Sequence, residues 1–212
     1  MVKKLEFLKS YKSLLVPPQG HGGGGLALFW KSDLEMLISS TCDNFIDITI
    51  TFQGSSFLAT FVYGEPDQTK RSSLWNTLLA LGESRDEPWF FIGYFNKILD
   101  NTEKAGGPER AETSFVEFRS LLSECGLFDL KHSGNFLSWR GVRHFHLVHC
   151  TLDRALANTA CFDLFSRGRS EYMKFEGTDH RPVLSDNNFL RSINPKALSC
   201  RCSTEGCQSK WV

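Results

Sequence analysis

The chain has 212 residues, enough for one domain or one domain plus a tail, and its 24 basic and 24 acidic side chains cancel. Zero net charge gives no overall field toward nucleic acid or acidic lipid, while leaving room for a local basic patch. No apolar run approaches the ~20 residues that span a bilayer, and Met1-Val2-Lys3-Lys4-Leu5-Glu6 is too charged to open a secretory signal. An intracellular, reducing setting is expected, in which the seven cysteines are thiols.

In chain order, Leu5, Leu8, Tyr11, Leu14 and Leu15 recur at helical spacing opposite Lys3, Lys4 and Lys9. This predicts an amphipathic helix over residues 3–15, ended by Pro17-Pro18. The glycines at 22–25 then turn into a strand at residues 26–30; a glycine run cradles phosphate only ahead of a helix, so it reads as a turn. Ile46, Ile48, Ile50 and Phe52 alternate with Asp47, Thr49 and Thr51, a half-buried strand, and residues 53–56 fold it back onto a partner at 57–63. Leu74, Trp75, Leu78 and Leu79 form one helical face closed by Gly82. Residues 89–96, Trp-Phe-Phe-Ile-Gly-Tyr-Phe-Asn, are a buried strand whose polar end opens onto a surface. A polar loop at 101–110 leads to a helix carrying Phe115, Phe118, Leu122 and Cys125, stopped by Gly126. Strands follow at 136–139, 144–149 and 152–156, then a short helix near 158–165 and a last strand at 181–184. Hairpins with helices between them predict an α+β fold, a two-sheet β-sandwich with flanking helices. From Ser185 onward no apolar period remains, and the stretch bearing Cys200, Cys202 and Cys207 reads as unstructured.

Polar groups stand at the ends of three apolar runs: Asn96, Asp153 in Leu152-Asp153-Arg154-Ala155-Leu156, and Asp179-His180 in Gly177-Thr178-Asp179-His180-Arg181-Pro182. Taken alone, these residues keep plain readings open. Asn96 caps a turn, Asp153 pairs with Arg154 or Arg167, Asp179-His180 is a polar turn, and Tyr63 and Trp139 are core aromatics. His144, His146 and His149 look zinc-like, but on a strand the first two share a face and the third points away. Cys200, Cys202 and Cys207 lack an evident fourth ligand.

The ordered set resembles the endonuclease/exonuclease/phosphatase superfamily, and more closely the endonuclease domain of plant LINE-type (non-LTR) retrotransposons. The resemblance runs over residues 22–183 and also takes in Gly24-Gly25-Leu26-Ala27-Leu28-Phe29-Trp30, Phe61-Val62-Tyr63-Gly64 and Phe136-Leu137-Ser138-Trp139. It implies a Mg2+- or Mn2+-dependent phosphodiesterase that nicks DNA, with a nuclear setting compatible. Asn96 would orient substrate and water, and Asp153 would be a metal-proximal carboxylate. Asp179 and His180 would form an Asp-His pair, Tyr63 would reach the phosphate, and Trp139 and Arg140 would line the substrate path. Asp179 is the remaining candidate metal ligand.

Two departures matter. Tyr94 stands where the resembled family has the Asp general base, and a phenol with a pKa near 10 is protonated at neutral pH. The family's metal-binding Glu lies on a strand ahead of the glycine-rich stretch, and Glu6 does not match it. The resemblance therefore implies a truncated copy lacking N-terminal strands, divided as residues 1–21 (helix and linker), 22–187 (partial domain) and 188–212 (tail), and inactive or severely impaired. Two alternatives stay open: hydrolysis of small phosphates, and a non-catalytic nucleic-acid-binding module using Lys97, Lys104, Arg110, Arg140 and Arg143.

Overall fold

The computed structural model describes residues 10–17, 25–52, 54–186, 198–204 and 207–208. The first strands are β1 (Tyr11–Val16), β2 (Gly25–Lys31), β3 (Glu35–Cys42), β4 (Phe45–Phe52), β5 (Ser55–Tyr63) and β6 (Trp89–Tyr94). Short β7 (Lys104–Ala105), β8 (Leu127–Asp129) and β9 (His132–Ser133) follow. Then come β10 (Trp139–Arg143), β11 (His146–Cys150), β12 (Asp153–Asn158), β13 (Arg169–Tyr172), β14 (Val183–Asp186), β15 (Leu198–Thr204) and β16 (Cys207–Gln208). The helices are α1 (Arg71–Gly82), α2 (Val116–Glu124) and α3 (Thr159–Leu164). This is the α+β two-sheet sandwich expected. Among the described residues no helix is long and apolar enough to cross a membrane.

A six-stranded sheet in the order β3-β4-β5-β6-β12-β8 is the centre of the molecule. Its β5 and β6 run parallel, and α1 makes the crossover between them. One face packs under Leu26, Leu28 and Trp30 of β2, and the other under Leu74, Trp75 and Leu78 of α1 and Phe118 and Leu121 of α2. The apolar run of β6 follows from this: Phe90, Ile92 and Tyr94 point to the inter-sheet core, and Trp89 and Phe91 to the helices. Gly93, at φ 150°, is required where β6 meets β5, since a Cβ there would lie 2.0 Å from the Val62 carbonyl oxygen.

Four expectations need correction. Residues 11–16 form strand β1, not the end of a helix; residues 1–9 lie outside the described residues. Pairing all along β2 overrides the helical spacing, and Leu14 and Val16 pack on the core while Leu15 faces out. The tail is not wholly unstructured, because β15 pairs antiparallel with β2 from Leu198↔Trp30 to Ser203↔Gly25. With β1 on one side and β15 on the other, β2 has no open edge of the kind that missing N-terminal strands would leave. Finally, β4 is buried on both faces around Asp47, whose carboxylate takes a bidentate Arg85. The strand β3 was not foreseen at all.

Candidate active site

Register brings the site together. Tyr63 ends β5 opposite Tyr94, which ends β6 opposite Asp153 at the start of β12. Three side chains therefore stand in one row at one end of the central sheet, sharing a face because paired residues do. The 177–181 segment is stitched beside them through β10, with the Arg140 N–H donating to the Asp179 carbonyl (2.9 Å) and the Arg181 N–H to the Ser138 carbonyl (2.6 Å). Asn96 follows the row in a left-handed conformation (φ 56°), which its short amide side chain tolerates.

The imidazole partner differs from the expectation. His180 Nδ1 lies 2.9 Å from Asp153 Oδ2, a fully buried carboxylate. Asp179, the chain neighbour, is exposed and accepts a hydrogen bond from Trp139 Nε1 (3.0 Å) instead. The chain bends at residues 177–179, and the bend turns Asp179 to Trp139 while His180 faces Asp153. Burial on its own would lower the His180 pKa; the charge and hydrogen bond of Asp153, with Asp179 beyond it, outweigh burial and raise it.

Ser138 holds the pair in place, a role that its sequence position between Leu137 and Trp139 does not signal. Its buried Oγ accepts the N–H groups of both Leu152 and Asp153 (2.9 Å each). The Tyr172 hydroxyl donates to the Asp153 carbonyl (3.0 Å), and Thr178 Oγ1 accepts the His180 N–H (3.0 Å). Asp153 Oδ1 has no hydrogen-bond partner among the described residues. Arg154 turns the other way, to Glu103 and Asp129, so the simple pairing of Asp153 with Arg154 does not occur.

Tyr94 dominates the row. Its ring meets His180 edge-on (centroids 4.8 Å, 87°) and lies 5.7 Å from the Tyr63 ring. Burial, then the Asp153 charge, pushes its pKa far above the phenol range, so it holds its proton at any physiological pH. Next to it opens a cleft of about 730 Å³ walled by Tyr63, Tyr94, Asn96, Trp139 and a set of cationic side chains. Lys97, Lys104, Arg110 and Arg143 are in that wall as foreseen; Arg140 is not, its guanidinium lying 4.2 Å over the Phe175 ring. Arg71 was missed. As the first residue of a helix it looks like any solvated arginine in sequence, but its Nε and Nη2 donate to the Glu65 and Pro66 carbonyls and it lines the cleft.

The donors do not suit a divalent cation. Among the described residues no group of three or more His, Cys, Asp or Glu side chains is placed to share an ion. Asp153 spends one oxygen on His180, Asp179 accepts from Trp139, and Glu109 is the sole carboxylate of the described cleft wall. The histidine trio offers no site either, since His144 and Phe145, both at positive φ, form the turn of the β10–β11 hairpin.

The sequence profile of the endonuclease/exonuclease/phosphatase family matches residues 4–180, and the chain belongs to that family. No curated protein sequence matches it. Among solved structures it is similar to the endonuclease domain of TRAS1, a telomere-specific non-LTR retrotransposon, with 19% identity and TM-score 0.58 over 81% of this chain and 77% of that one. It is also similar to beta toxin 275-280 from Staphylococcus aureus, with 14% identity and TM-score 0.53 over 85% and 79% of the two chains. A third likeness is to D. rerio TDP2 humanized by 14 mutations, with 13% identity and TM-score 0.50 over 84% and 78%. At these identities the likenesses establish the fold.

Proposed function

We propose that the chain is a degenerate copy of a non-LTR retrotransposon endonuclease domain, of the plant LINE kind, whose cleft engages DNA and whose nicking is severely impaired. The observation that carries this reading is Tyr94, a neutral phenol seated between Tyr63 and Asp153 with its ring against His180. Hydrolysis of a phosphodiester needs an acceptor for the proton of the attacking water, and such an acceptor contributes about 10²–10⁴-fold. Tyr94 keeps its own proton and accepts none. Among the described residues no carboxylate cluster is placed to hold the magnesium that the family's chemistry would use.

The rest of the machinery supports an ancestral nuclease. Asp153 holds the His180 imidazole in one orientation and raises its pKa, and Asn96 presents an amide at the cleft. Purified protein with supercoiled plasmid and Mg2+ tests the reading. We expect nicking no greater than that of His180→Ala; clear nicking abolished by His180→Ala overturns it. Tyr94→Asp separates the two lesions: if it restores cleavage, the phenol alone silences the site and no further metal ligand is needed.

A further inference from the structure

The cleft gathers Arg71, Lys97, Lys104, Arg110 and Arg143 in a chain whose charges otherwise balance. Among the described residues, ion pairs join Arg85 to Asp47, Arg119 to Glu112, Arg154 to Glu103 and Asp129, and His180 to Asp153; none of them uses a cleft cation. Three of the five crowd one another. Lys97 is half-buried, and burial followed by the charges of Arg71 and Arg110 lowers its pKa against the opposing charge of Glu117. Burial also lowers that of Arg71, with Arg110 adding to the effect and the Glu65 and Asp67 charges opposing it. Arg71 is fixed by two backbone carbonyls, which orient the guanidinium without cancelling its charge. Positive charges held together in a cleft whose wall carries one carboxylate, Glu109, and none of them closed in an ion pair among the described residues, are stabilised by an incoming anion.

We propose that Arg71, Lys97 and Arg110 form a subsite for adjacent phosphates of a nucleic-acid strand, and that it binds them without a divalent cation. The inference rests on the reading that the cleft engages nucleic acid, and it assigns to side chains the charge neutralisation that a metal performs elsewhere. Tyr63 and Trp139 are buried, so bases gain no stacking platform there and the recognition is led by phosphate rather than by sequence.

Fluorescence anisotropy of the full chain with a labelled oligothymidylate, in EDTA and in Mg2+, tests it. Affinity in EDTA is expected within about twofold of that in Mg2+ and should fall steeply with salt. The double variant Lys97→Gln/Arg110→Gln is expected to lower the salt slope by about 1.4, at ~0.7 for each single-strand phosphate contact. Arg169→Gln, an exposed residue of β13 outside the cleft, should change nothing. Should the double variant fail to fold, Lys97→Gln alone must still lower the slope by about 0.7. Binding that vanishes in EDTA and returns with Mg2+, an unchanged salt slope, or no binding at all overturns the subsite. Inorganic pyrophosphate binding where the oligonucleotide does not would also overturn it, by identifying a free oligophosphate as the ligand. Plasmid nicking through His180 would sink the impaired-nuclease reading and leave this measurement standing; binding lost in EDTA does the reverse.

Discussion

Two buried carboxylates on opposite faces of the central sheet have different fates. Asp47, on the helix side, is saturated: Arg85 donates through Nη1 (3.0 Å) and Nη2 (2.6 Å), and the Thr60 hydroxyl adds a third bond (2.6 Å). Trp89 Nε1 in turn donates to Thr60 (2.8 Å), and Arg85 lies over the Trp89 ring at 4.5 Å. Asp153, on the sandwich side, has His180 on one oxygen and no described partner on the other. The first arrangement closes on itself and fastens the end of α1 to the sheet. The second leaves one carboxylate oxygen without a described partner, next to the Tyr94 and His180 rings.

Matched substitutions break or sharpen that contrast. Asp47→Asn leaves the Arg85 guanidinium buried without a counter-charge and is expected to cost about 3–5 kcal/mol in chemical denaturation. A loss below about 1 kcal/mol would refute the closed-network account. Ser138→Ala strands the N–H groups of Leu152 and Asp153, and is expected to cost about 2 kcal/mol while displacing Asp153 from His180. NMR titration of His180 in that variant should show its pKa moving down. Asp153→Asn removes a buried charge that is only partly satisfied, so its stability cost is expected below about 1 kcal/mol; a cost matching that of Asp47→Asn would erase the distinction.

The smallest effect is the pH dependence. The His180 pKa is raised above its unfolded value of 6.5, so the pair's contribution is complete below that value and is lost as pH rises through the higher native pKa. Melting temperature is therefore expected to decline across that window in the native chain, and the decline should disappear in Asp153→Asn. An equal decline in both would assign it to another group.

Much of this was legible. The alternating isoleucines of β4, the stripe of α1 ending at Gly82 and the doubly apolar β6 follow from period and burial, which a local stretch encodes. Asn96, Asp153, Asp179 and His180 were visible as polar groups ending apolar runs, and the family they resemble supplied their order. The helix read over residues 3–15 failed at its C-terminal part because the apolar spacing of a short segment fits both periods, and a neighbouring strand decides between them.

The sequence by itself determined which residue types are present, including a phenol at position 94 that holds its proton and cannot serve as a base near neutral pH. Only the tertiary structure decided who touches whom. Strand register set Tyr63, Tyr94 and Asp153 in one row, the bend at 177–179 gave His180 to Asp153 and Asp179 to Trp139, and folding collected cations from α1, the 97–110 loop and β10 into one cleft. Such contacts join positions far apart in the chain, and no local pattern carries information about them.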